Sequence, residues 1–189
     1  MAKNSENVTR KVIFGINITI NGSADHIAMI ADAELHDFFT DLLNEVDVVL
    51  YGRKTYQLME SYWPDAWNDS KSTESEKRFA DIINPIKKIV FSNTLKKVDW
   101  QNSVLSEKGL VTKVSELKRQ EGKPISVGSI NIASQLFKEN LIDEFWFAVH
   151  PVVSGKGLGL FDGIDINTEL RFIDSKKLNS GVVVLHYYK

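Results

Sequence analysis

Short apolar runs that alternate with helix-patterned stretches constrain this chain more than any other feature. KVIFGINITI, from Lys11 to Ile20, is β-branched and nearly continuous in apolar character, as a strand covered on both faces would be. After Asp32, an expected N-cap, AELHDFFTDLLNEV sets Leu35, Phe38, Phe39, Leu42 and Leu43 on one helical face. VDVVLYG, from Val46 to Gly52, is a second buried strand that runs straight into RKTYQLMESY, whose Tyr56, Met59 and Glu60 suit a short helix. Thr73 and Glu76 form a capping-box pattern for a helix carrying Phe79, Ile82 and Ile83. The strand IKKIVFSNT follows it, and KVSELKRQEGKP reads as a short surface helix closed by Gly122 and Pro124. Next come the strand ISV, the helix INIASQLFKEN with Ile130, Ala133, Leu136 and Phe137 inward, and the strand IDEFWFAVHPVV. LRFIDSKKL and VVVLHYY, joined through Asn179-Ser180-Gly181, give a closing hairpin. Strands that alternate with helices must be mostly parallel, so the expectation is an α/β fold with a mostly parallel central sheet and an antiparallel C-terminal hairpin. The sequence has no internal repeat or linker, which predicts one domain over residues 1–189.

Composition removes several function classes. Lys and Arg number 23 against 25 Asp and Glu, so no basic surface points to nucleic acid or an anionic membrane. The absence of cysteine removes disulfides, thiolate nucleophiles and thiolate-bound zinc. No histidine pair has ligand spacing with carboxylates, so no metal is expected. No run approaches the roughly 20 apolar residues a spanning helix needs. The polar MAKNSENVTRK start lacks a secretory signal's apolar core, making the cytoplasm the expected location. The Asn-x-Ser/Thr triplets at Asn7, Asn17, Asn21 and Asn68 then read as chance.

Three strands finish in residues that suit an anion: Gly52-Arg53-Lys54-Thr55, Ser92-Asn93-Thr94 and Gly128-Ser129. In an open α/β sheet, ligands sit beyond the carboxyl ends of the strands, so the three could converge. Two cations at a helix N-terminus oppose the macrodipole, by roughly 0.3–1 kcal/mol per charge at a surface. An anion there reverses the sign, drawing on Arg53, Lys54, the Thr55 hydroxyl and free backbone N–H groups. Taken singly, each motif also has a plain reading: cations pointing into water, a polar turn, a serine N-cap.

The segments NITINGSAD, VDVVLYGRKTY, KKIVFSNTL and ISVGSINIASQLFKENLIDEFWFAVHPVVSGKGLGLF, in this order and spacing, resemble the dihydrofolate-reductase-like family typified by the RibD C-terminal reductase domain. The likeness runs from about Arg10 to Tyr188. It implies an NADPH-dependent reductase, with NADH as the other option, acting on a pteridine-like or aminopyrimidine substrate in a homodimer. It assigns the cofactor diphosphate to Gly52, Arg53, Lys54 and Thr55, and the adenosine 2′-phosphate and ribose to Ser92, Asn93 and Thr94. The nicotinamide-side helix start falls to Gly128, Ser129, Ile130 and Asn131. The family's usual Gly-Gly is Gly128-Ser129 here, and its Asp-Gly after the first strand is Asn21-Gly22. Ser92-Asn93 also lacks the arginine common in NADPH-specific relatives.

The resemblance further implies an acid on the first long helix that orients and protonates the substrate. Glu34, His36 and Asp37 are the candidates, against the plain reading that first-turn acids simply favour the helix dipole. Tyr62, Trp63, Pro64 and Trp67 either wall a flat heteroaromatic substrate or anchor their loop to the core. His150 is expected to be structural, and His26 and His186 have no evident partner. SGKGLG has no Ser or Thr after its lysine, so it is not a Walker loop; it reads as a flap beside the cleft or a dimer contact. The competing reading for the whole chain is a non-catalytic nucleotide-binding homodimer that keeps the fold and has lost hydride transfer.

Overall fold

The computed structural model describes residues 9–24, 29–155, 157–165 and 167–189. Its strands are β1 (Val12–Thr19), β2 (Val48–Gly52), β3 (Lys87–Phe91), β4 (Ser103–Leu105), β5 (Ile125–Val127), β6 (Glu144–His150), β7 (Arg171–Lys177) and β8 (Val183–Tyr188). The helices are α1 (Ala33–Asn44), α2 (Arg53–Glu60), α3 (Glu74–Ile83), α4 (Leu110–Lys118) and α5 (Ile130–Lys138), with a short 3-10 turn at Trp63–Asp65. The strands form one sheet in the order β4-β3-β2-β5-β1-β6-β8-β7. The pairings from β4 through β6 are parallel, and β8 runs antiparallel to both β6 and β7. This is the expected mostly parallel sheet with its antiparallel hairpin.

Both faces of the sheet are covered, which is why the central strands are apolar throughout. Val12, Phe14, Leu50, Ile89 and Val127 pack against Val114 and Leu117 of α4 and Ile132 and Leu136 of α5. Alternate residues Ile13, Val49, Tyr51 and Val90 turn to the other face and meet Leu43 of α1, Tyr56 of α2, and Phe79 and Ile83 of α3. Each such side chain contributes about 1.5–3 kcal/mol on burial.

The helix starts follow the caps. Asp32 Oδ1 accepts the Leu35 N–H at 2.8 Å. Thr73 and Glu76 complete the reciprocal capping box.

Three local expectations need correction. The strand after α3 has a neighbour, β4, whose three residues leave too short a pattern to read. The α4 helix is not a surface helix, because Leu110, Val114 and Leu117 are buried in the core; it ends at Lys118 with Arg119 as its C-cap, ahead of Gly122. On α5 the buried face carries Ile132 rather than Ile130, together with Ala133, Leu136 and Phe137.

Candidate functional site

Because β3, β2 and β5 are adjacent and parallel, their carboxyl ends meet at one rim. Gly52 lies opposite Phe91, and Leu50 opposite Val127, which brings Gly52 beside Ser129 and next to the residue before Ser92. The Gly52 N–H donates to Ser129 Oγ at 2.9 Å. Neighbouring strands are about 4.8 Å apart, so Ser92 and Ser129 flank Gly52 within roughly 10 Å of each other. Arg53, Ser92 and Ser129 therefore begin from one short stretch of edge.

At that rim two helices start without a side-chain cap. The N-cap of α2 is Gly52, which has no side chain to offer, and the N-cap of α5 is Ser129, whose hydroxyl is turned to Gly52 instead. Serine is among the best N-caps, and forgoing the cap costs about 1 kcal/mol. Among the described residues the first-turn N–H groups of both helices have no side-chain acceptors, and neither helix carries an acid in its first turn. Arg53 and Lys54 are exposed beside them, and among the described residues Arg53 makes only a long 3.4 Å contact from Nη1 to Gln57 Oε1. The combined partial and full positive charge fits an anionic group.

Other expected site residues have internal roles. A Cβ on Gly128 would lie 2.3 Å from Cε1 of Tyr51, so the buried tyrosine ring demands this glycine. Burial also pushes the Tyr51 phenol well above its ordinary pKa. Ser92 Oγ accepts the N–H groups of Thr94 at 3.1 Å and Leu95 at 3.0 Å, which shapes the SNT turn and leaves Asn93 and Thr94 exposed. Thr55, Ile130 and Asn131 lie in the first turns of the two uncapped helices, Thr55 and Ile130 half-buried and Asn131 exposed.

On α1, Glu34 Oε2 accepts the Asn179 N–H at 2.8 Å, tying the helix to the C-terminal hairpin turn. Asp37 Oδ1 pairs with Arg78 Nη1 at 2.8 Å, linking α1 to α3. The His36 ring lies edge-on to Trp63 with centroids 6.3 Å apart. These three side chains have separate partners rather than one shared focus. The aromatic loop is anchored to α3: Trp63 packs on Phe79 with centroids 4.3 Å apart, Trp67 Nε1 donates to Asp81 at 2.6 Å, and Tyr62 bonds Ser72 and Glu76.

Sequence reasoning missed two histidine networks. His150 is fully buried at the rim end of β6; its Nδ1 accepts the Ile30 N–H at 3.0 Å, so the neutral ring carries its proton on Nε2 and donates to Asn17 Oδ1 at 3.0 Å. Burial holds its pKa below the ordinary value. His186, for which the sequence showed no partner, has Nε2 3.0 Å from Glu144 Oε1 and Nδ1 3.2 Å from Asp174 Oδ1, and it stacks on Trp146 at 3.6 Å. His26 lies outside the described residues. No spacing signal could have shown these contacts, because the partners come from different strands. Asn21 uses its amide in place of the family's acid: Nδ2 donates to the Ser154 carbonyl at 2.8 Å, and Oδ1 accepts the Ser154 N–H at 3.2 Å. This fastens the start of the glycine loop to the turn after β1. Among the described residues no group of His, Asp and Glu is arranged to hold a metal, and no helix is long and apolar enough to cross a membrane.

A doubly covered parallel sheet with an antiparallel hairpin and convergent, uncapped helix starts defines an α/β protein of the dihydrofolate-reductase-like fold. Within that class, the chain belongs to the RibD C-terminal domain family, which matches residues 10–184. It is 30% identical over 187 residues to the uncharacterized protein YyaP of Bacillus subtilis (strain 168), covering 95% of both chains. In structure it is similar to a protein of Shewanella sp. PV-4 whose name links it to riboflavin biosynthesis, with a TM-score of 0.71, 19% identity, and coverage of 94% of this chain and 98% of that one. The diaminohydroxyphosphoribosylaminopyrimidine deaminase/5-amino-6-(5-phosphoribosylamino)uracil reductase of Thermotoga maritima shares the fold at a TM-score of 0.64 and 18% identity. The likeness covers 95% of this chain and 56% of that one.

Proposed function

We propose that the chain is an NAD(P)H-dependent reductase that delivers hydride to a pteridine-like or aminopyrimidine substrate of the 5-amino-6-(5-phosphoribosylamino)uracil type. The observation that carries this reading is the rim where β3, β2 and β5 end side by side, with two uncapped helix starts and the exposed cations Arg53 and Lys54. Membership in the RibD C-terminal family supports it, since reductases of that family generally use NADPH. The bound nicotinamide would supply the hydride.

What the chain itself supplies is binding and alignment. Arg53, Lys54 and the first-turn N–H groups of α2 and α5 would hold the diphosphate, with Gly52, Thr55, Gly128, Ser129, Ile130 and Asn131 forming its bed. Ser92, Asn93 and Thr94 would meet the adenosine ribose side. Of the three candidate acids, Glu34 and Asp37 already hold partners. His36 is the candidate whose ring nitrogens have no hydrogen bond among the described residues.

A homodimer belongs to the same proposal. All seven residues of β7 are exposed, Phe172 and Ile173 among them, on a strand that closes one edge of the sheet. Such an edge is a template for pairing.

The test is a titration of tryptophan fluorescence with NADPH and NADH. Arg53→Ala is expected to weaken binding by about tenfold or more while the melting temperature stays within about two degrees, as removal of an exposed charge contact to an anion requires. Equal loss of binding and stability would assign Arg53 to structure and remove the main support for the reading.

A further inference from the structure

We infer that His150 is a proton-operated latch on the entry to α1: its neutral ring holds Ile30 at the carboxyl ends of β1 and β6, and a second ring proton releases it. The ring is fully buried, and three parts of the fold meet at it. His150 stands on β6 opposite Thr19 of β1, its Nδ1 accepts the Ile30 N–H at 3.0 Å, and its Nε2 lies 3.0 Å from Asn17 Oδ1. Among the described residues no other hydrogen bond ties Met29, Ile30 or Ala31 to the rest of the chain. The next anchor is Asp32, whose carboxylate caps α1 itself.

The two partners of the ring differ in kind. A backbone N–H can only donate, so the Ile30 bond exists only while Nδ1 carries a lone pair. Asn17 can accept from Nε2–H whether or not the ring holds its second proton. Protonation therefore breaks one contact and keeps the other, and the broken one is the tie on residues 29–31.

The surroundings set when this happens. Strand β1 presents the neutral Asn17 and the buried Thr19, and Val149 lies opposite Val183, which sets the apolar Val182 beside His150. Among the described residues Asp32 is the charged group that acts on the ring, and burial outweighs its pull toward the imidazolium. The latch thus stays closed at neutral pH and opens below the ordinary imidazole value of 6.5. The segment it holds leads into the helix that carries Glu34, His36 and Asp37, so one buried ring controls whether the entry to that helix is seated.

The test follows the Ile30 amide by hydrogen exchange, and the ring by its nitrogen NMR shifts, from about pH 7.5 down to about pH 4. At the upper end Nδ1 should be unprotonated and the Ile30 amide protected. As the ring takes its second proton, Ile30 protection relative to the intrinsic exchange rate should fall at least about fivefold, the size of one hydrogen bond. The midpoint should match that of the ring, while amides of β1 and β6 keep their protection. Asn17→Asp sets a carboxylate against Nε2 and should move the opening to higher pH by about one unit or more. His150→Asn puts an acceptor that does not titrate near the Nδ1 position and should hold Ile30 across the range. An Nδ1–H tautomer at neutral pH overturns the inference, as does a ring that stays neutral down to about pH 4. So does Ile30 protection that ignores the ring's titration, or an opening that Asn17→Asp leaves unmoved. Simultaneous loss of protection in β1, β6 and α1 overturns it too, because the ring then supports the whole fold rather than one segment. Should His150→Asn fail to fold, wild type and Asn17→Asp decide the question by the same criteria.

Discussion

Gly128 shows how a single residue can suggest one function in the sequence and serve another in the fold. A glycine ahead of a helix invites the reading that backbone must approach a phosphate. The atom that forbids a side chain here is instead Cε1 of Tyr51, 2.3 Å from where a Cβ would stand. Tyr51 is buried, with its ring 6.4 Å from that of Trp100 and nearly parallel to it, so it has no free direction in which to retreat. Gly128→Ala is accordingly expected to cost about 1–3 kcal/mol, the range for overpacking a filled core. Urea denaturation would measure this as a lower midpoint with an unchanged slope. An unchanged midpoint would mean that the tyrosine ring moves aside freely. The residues at this rim were legible in sequence because each motif is contiguous: GRKT, SNT and GS stand where strands give way to turns. The partners of His150 were not legible, since Asn17 and Ile30 reach it only after the sheet has formed.

Whole elements were legible in proportion to their periodicity and caps. Helix α1 has Asp32 before it and an apolar face along it, and α3 has its capping box, so both could be read locally. Strand β4 could not, because three residues hold too little alternation. The identity of the inward residue on α5 depends on how the helix rolls onto the sheet, which is a tertiary matter. Strand β3 adds a feature that no periodicity predicts. Its Lys88 is fully buried, with Nζ donating to the carbonyls of Asn84 at 2.7 Å, Ile86 at 2.8 Å and Gln101 at 3.2 Å, and lying 4.2 Å from the centre of the Trp100 ring. The three carbonyls use its three donors and join the end of α3 to the approach to β4. Burial lowers its pKa from 10.5 to about 8. Below pH 8 the lysine is protonated in both folded and unfolded chains. Between about 8 and 10.5 the folded chain releases a proton that the unfolded chain keeps, so stability should rise with pH across that window. Relative to Lys88→Met, wild type is expected to gain on the order of 1–2 kcal/mol between pH 7.5 and 9.5 in urea titrations. The window stops short of pH 10 because the buried phenols of Tyr51 and Tyr56, raised by burial, act in the opposite sense above it. Parallel stability curves for the two proteins would mean that the ammonium keeps its ordinary pKa.

At the scale of the molecule, the two edges of the parallel sheet divide the work. The carboxyl-end rim leaves donors and cations exposed, whereas the opposite edge is closed by side chains that span long sequence distances. Arg10 is buried there, pairs with Asp47 and donates from Nε to the Lys123 carbonyl at 2.7 Å. Asp143, just ahead of β6, accepts the Val12 N–H at 2.7 Å at the start of β1 and pairs with Lys118 at the end of α4. Glu144 beside it gathers Lys11, Trp146 and His186. These contacts tie three strands and a helix at the edge away from Gly52 and Ser129, so they should contribute to stability without reaching the ligand. Asp143→Ala removes the acceptor for the Val12 N–H and the partner of Lys118 together. Leaving a buried donor unmade costs about 1–3 kcal/mol, so the unfolding midpoint should fall accordingly. NADPH affinity, measured by tryptophan fluorescence well below the melting temperature, should stay within about twofold of wild type, because no strand end at the rim has lost a contact. Arg53→Ala should give the reverse pair of results. A loss of affinity in Asp143→Ala as large as that in Arg53→Ala would mean that the two edges are coupled through β1 and β5, and that the rim depends on the far edge for its geometry.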